Sequence, residues 1–81
     1  MTGKLAGLTA RQLEVLQLVM AGASDKDIAE RLFIARRTAS EHVSLILAAL
    51  GQSSRTGAAG YAAAHGLRAA SSTPSNPESS G

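Results

Sequence analysis

Apolar residues recur at helical spacing through most of this chain, and the clearest case runs from Ala35 to Gly51. At about 100° per residue, Ala39, Val43, Ile46 and Leu50 fall on one side, the spacing of a helix with one buried face. Arg37, Ser40, Glu41, Ser44 and Ala48 fall on the other. Apart from Arg37 and Glu41 these outward residues are short, so the helix backbone could approach another surface closely. Gly51 supplies the left-handed residue that ends the helix. The pattern predicts a helix over roughly 36–50 with its back in a small core.

Three more helices are predicted around it. Thr9 and Gln12 form a capping box ahead of Leu13, Val15, Leu16, Leu18, Val19 and Met20. These predict a first helix over roughly 9–21 that contributes most of the core, with Gly22 just past its end. Ser24 caps a second helix over roughly 25–32, where Asp25 and Asp27 suit the positive helix end and Ile28, Ala29 and Leu32 form one apolar edge. The connection Phe33-Ile34-Ala35 is short and apolar, as in a tight helix-turn-helix whose turn packs into the core. Ser53 or Ser54 caps a fourth helix, roughly 54–65, closed by Gly66. Its internal Gly57 and Gly60 each cost on the order of 1 kcal/mol relative to alanine, making it the least secure of the four. Residues 1–7 read as a lead-in, 8–67 as one all-α domain, and the Ser- and Pro-rich stretch 68–81 as a disordered tail with nothing to bury.

Composition narrows the picture. With 81 residues, one Phe, one Tyr and no Trp, the core must be small and aliphatic, which favours short helices over a sandwich or barrel. A domain of this size buries about 60% of its unfolded surface, and no cysteine is present to add a disulfide or thiolate metal site. No apolar run approaches the roughly 20 residues of a membrane span, and no signal-peptide core opens the chain, so it reads as intracellular with no membrane partner. His42 and His65 lack a second ligand at helical spacing, so no metal is expected, and His42 reads as a packed or capping residue. Asp25, Asp27 and Glu30 read as helix-start and surface charges, and no set of nucleophile, base and orienting group exists. The expectation is a non-enzyme with no cofactor and no small-molecule ligand.

The formal net charge of +2 is compatible with a nucleic-acid partner. Two arginines, Arg36 and Arg37, stand where a helix entering a DNA groove would want them. On the outward face Arg37 could bond guanine or phosphate, Ser40 and Ser44 could donate to or accept from base edges, and Glu41 could accept from a cytosine amino group. Lys26, Arg36, Thr38 and Arg55 are the candidate phosphate contacts, which fix register without specificity. The plain alternative is a solvated polar face with ordinary surface charges, as Arg31 is read. On the fourth helix Gly57, Gly60 and Ala64, flanked by Tyr61, make a small-residue stripe. It is either a close contact between two copies or a poor helix resting on the core.

A longer ordered set of residues carries a resemblance. It comprises Leu8, Thr9, Arg11, Glu14-Val15-Leu16 and Gly22, then Ser24, Lys26, Ile28-Ala29 and Leu32. It continues with Ile34, Arg37-Thr38, His42-Val43, Ile46-Leu47, Leu50-Gly51 and Ser53-Ser54-Arg55-Thr56. In these positions the chain resembles the LuxR-type (GerE-type) helix-turn-helix domain of bacterial transcription regulators. The resemblance implies a four-helix fold with the helix-turn-helix at about 24–43 and a recognition helix at about 36–50 in the major groove of double-stranded DNA. It also implies a homodimer through the fourth helix, weak in the isolated domain, and a cytoplasmic, nucleoid-associated regulator with a sensing or receiver region elsewhere. Departures concern affinity more than fold: Ser40, Ala48 and Ala49 stand where the family often has basic residues, Ala39 replaces a larger aliphatic, and Ala35 replaces a common serine cap. Those losses motivate a rival expectation, a degenerate helix-turn-helix domain kept for protein–protein contact.

Overall fold

A computed structural model describes residue 5 and residues 7–70 of the chain. Within it the expected four helices form: α1 (Ala10–Met20), α2 (Asp25–Leu32), α3 (Arg36–Leu50) and α4 (Arg55–Ala64). The starts of α1, α2 and α4 follow from local chemistry. Thr9 Oγ1 accepts from the Gln12 N–H at 3.1 Å, and Gln12 Oε1 accepts from the Thr9 N–H at 2.8 Å. Ser24 and Asp27 repeat the same reciprocal pair ahead of α2, both bonds at 3.1 Å. That second box uses Asp where Glu or Gln is usual, and the sequence reading had given Ser24 alone the role. The Ser24 N–H, and then its hydroxyl, hold the Asp27 carboxyl below the ordinary carboxylate range. The sign follows: this cap is intact at neutral pH and is lost as pH falls through the lowered value. Ser54 caps α4 by accepting from the Gly57 N–H at 3.0 Å.

The helix ends share one device, in which the N–H after a left-handed residue reaches back to the last turn. Ala23 donates to the Leu18 carbonyl, Gln52 to Leu47 and Leu67 to Ala62. In these three cases the left-handed residue is glycine: Gly22, Gly51 and Gly66. At the end of α2 it is Phe33, at φ 58 and ψ 46, with Ile34 donating to Ala29 at 3.0 Å. The expected inward-packing turn is therefore only half right. Ile34 folds back onto the core, while Phe33 is 94% exposed. A left-handed reversal turns the following residue inward and leaves the reversal residue itself facing water.

A phenylalanine held at φ 58 carries about 1–2 kcal/mol of backbone strain, and an exposed ring returns little of it. Phe33→Gly is therefore expected to raise the melting temperature by a few degrees, even after glycine's added unfolded-state entropy. Thermal melting by circular dichroism checks this. An unchanged or lower melting temperature would mean that the ring makes a stabilising contact.

The core lies where α3 crosses the other helices, since it packs against each of α1, α2 and α4. Leu16 and Val15 from α1, Ile28 from α2, and Ile46 and Leu50 from α3 are fully buried. Ala39 of α3 and Ala58 and Ala62 of α4 are buried as well, each bringing only a methyl group into the interior. No polar or charged side chain is buried among the described residues, so the interior has no unpaired charge to offset. At the edges the packed chain extends beyond the limits expected from sequence: Leu5 packs on the core, and Ala70 donates to the Gln17 carbonyl at 2.9 Å. The rest of the expected tail, residues 71–81, lies outside the described residues. Among the described residues no helix is long and apolar enough to cross a membrane.

Candidate nucleic-acid interface

α3 is split lengthwise. Ala39, Val43, Ile46 and Leu50 are its buried residues, the same four that the periodicity had selected. Arg36, Arg37, Ser40, Glu41, Ser44 and Ala48 are exposed, and Thr38 is half-buried. The outward strip is thus continuous over three turns and mostly short-chained. Ala35 makes no side-chain cap bond, so the first-turn amides of α3 keep no protein side chain as acceptor. Those amides sit at the positive end of the helix dipole, which favours an anion.

On that strip Arg37 Nε lies 3.8 Å from Glu41 Oε2, with the two side chains 89% and 67% exposed. An exposed i,i+4 pair of this kind is worth about 0.3–0.5 kcal/mol. Holding Glu41 therefore costs Arg37 almost nothing in freedom to bind something else. Ser40, Glu41, Ser44 and Leu45 line one shallow depression in the middle of the strip. Leu45 is 57% exposed and was missed by the sequence reading, which sorted α3 into core and polar residues. The available signal was its place one turn after Glu41, off the buried stripe.

Lys26 and Arg36 come together across the α2–α3 turn, where they line a second depression with Ala29, Glu30, Phe33 and Ile34. Arg55 stands elsewhere. Its Nη1 donates to the Ala23 carbonyl at 3.1 Å, and its Nη2 pairs with Asp25, tying the start of α4 to the start of α2. Its side chain is 37% exposed, so part of the guanidinium faces outward while the rest holds the frame.

The stripe on α4 is open in part. Gly60 and Ala64 are exposed, and Gly57 and Tyr61 are half-buried. The Tyr61 ring stacks on His65 at 4.1 Å between centroids. A Cβ on Gly57 would meet Gln52 Oε1 at 2.7 Å, the movable end of a flexible side chain, so packing within the chain does not by itself demand glycine there. A Cβ on Gly60 would meet nothing within 4 Å.

Comparison with known proteins agrees with this architecture. Residues 6–62 match the family described as bacterial regulatory proteins, luxR family. The chain is 47% identical over 55 residues to the transcriptional regulatory protein LiaR of Bacillus subtilis, covering 68% of this chain and 26% of that protein. It is 43% identical over 58 residues to the DNA-binding transcriptional activator DevR/DosR of Mycobacterium tuberculosis, covering 72% and 27%. A third relative, the transcriptional regulatory protein LnrK of Bacillus subtilis, is 41% identical over 64 residues, covering 79% and 29%. The chain thus spans between a quarter and a third of the length of these relatives. With two capped helices feeding an amphipathic third, and the family match running through all but the last two residues of the fourth, the chain belongs to the LuxR family of bacterial regulatory proteins.

Proposed function

We propose that this chain is the sequence-specific DNA-binding output domain of a bacterial transcription regulator and that α3 enters the major groove. The observation that carries the reading is the division of α3. Its buried residues fall on one side, and the exposed side, led by two arginines, carries Ser40, Glu41 and Ser44 together with Leu45 and Ala48. A face of that shape lets the helix backbone come close to base edges. In this reading Arg37 bonds guanine or phosphate, Ser40 and Ser44 meet base edges, and Glu41 accepts from a cytosine amino group. Lys26, Arg36 and Thr38 hold phosphates, and Arg55 contributes to that set while sharing its guanidinium with Asp25. The name of the Mycobacterium tuberculosis relative, a DNA-binding transcriptional activator, supports the same assignment.

Two copies would pair through α4 at Gly57, Gly60, Tyr61 and Ala64, placing their α3 helices on half-sites about one DNA turn apart. The open space at Gly60 supports such an approach, and the small area of the stripe makes the pairing weak in the isolated domain. Such a protein works in the cytoplasm at the nucleoid.

Fluorescence-anisotropy titration with duplex DNA at a series of salt concentrations tests the proposal. The expected result is binding whose affinity falls steeply and linearly on a log–log salt plot, with one sequence preferred. Absence of binding even at low salt would overturn it. That outcome would favour the protein–protein role suggested by Ser40, Ala48 and Ala49.

A further inference from the structure

We propose that Leu45 recognises thymine methyl groups, an assignment that rests on the placement of α3 in the major groove given above. Leu45 is 57% exposed and stands outside the buried core of Ala39, Val43, Ile46 and Leu50, so the fold gains little from it. It shares one depression with Ser40, Glu41 and Ser44, the side chains assigned to base edges. One turn after Glu41 and next to Ser44, it projects past two serines too short to shield it. Arg36 and Arg37 lead into the strip and the uncapped first turn of α3 adds free amides, so the strip suits an anionic surface.

The chemistry then leaves one choice. A leucine side chain neither donates nor accepts a hydrogen bond, so any base-edge contact it makes is apolar. Among the major-groove edges of the four base pairs, the sole methyl group is the C5-methyl of thymine. Leu45 therefore adds a preference that the serines and Glu41 do not supply, since those discriminate through hydrogen bonds. It also separates thymine from cytosine at a position where a hydroxyl could serve either.

Deoxyuridine isolates this effect, because it lacks the methyl group and keeps thymine's hydrogen-bonding edge. A preferred site is first selected from a random duplex pool with the 81-residue chain. Each thymine in that site is then replaced by deoxyuridine, and affinities are measured for the parent chain and for Leu45→Ala. At one thymine per half-site the parent is expected to lose about three- to fivefold, the effect of leaving one methyl group unburied. Leu45→Ala is expected to bind the thymine and uracil forms of that position equally and to melt with the parent. Tolerance of uracil at every position by the parent would overturn the assignment, as would a thymine preference that survives in Leu45→Ala. A pool that yields no preferred site would overturn the groove placement itself and the Leu45 assignment with it, which separates the two failures.

Discussion

Ile46→Ala is expected to leave much of this chain unfolded at 37 °C. Ile46 is 1% exposed on the one helix that packs against all the others. Truncating a buried isoleucine costs about 2–5 kcal/mol, part lost transfer energy and part cavity. A domain of this length holds on the order of 3–10 kcal/mol in total, so one such cavity removes a large share of it. No disulfide is available to limit the loss, because the chain has no cysteine. Thermal melting followed by circular dichroism reads the effect directly. A melting temperature within a few degrees of the parent would show that α3 is not the helix around which the core closes. Leu45→Ala on the same helix provides the contrast, since exposed substitutions stay within about 0.5 kcal/mol.

Arg37→Ala is expected to do the reverse. Its side chain is 89% exposed and its one ion pair, to Glu41, is weak, so the melting temperature should hold. DNA affinity is expected to fall by about 5- to 100-fold, corresponding to the loss of one good guanine or phosphate contact. The form of the loss tells which contact it was. A guanine contact relaxes specificity at one position, whereas a phosphate contact weakens all sequences alike and lowers the salt slope by about one. Unchanged affinity in Arg37→Ala would remove Arg37 from the interface.

The division of α3 was legible from the sequence because fifteen residues sample the helical period several times, and each core position is aliphatic. The caps at Thr9 and Ser24 were equally legible, being local and of standard chemistry, whereas the cap of α4 was narrowed only to Ser53 or Ser54 and proves to be Ser54. Phe33 was not. A left-handed residue is normally announced by glycine or asparagine, and here the tertiary packing of Ile34 imposes the reversal on a phenylalanine. The Arg55–Asp25 pair joins residues thirty apart and leaves no periodic trace. Leu45 was visible but unremarked, because a leucine beside a core stripe reads as more core until burial is known. Ala70 was assigned to the tail on composition, which carries no information about a single backbone bond to Gln17.

The proposed function requires the outward strip of α3 to touch nucleobases. Backbone-amide shift mapping of the 15N-labelled chain during titration with its preferred duplex tests it most directly. The largest shifts are expected across residues 36–48, centred on Arg37, Ser40, Glu41 and Ser44, with the buried stripe and α4 moving less. Shifts concentrated on other surfaces, or a spectrum unmoved by DNA, would contradict it.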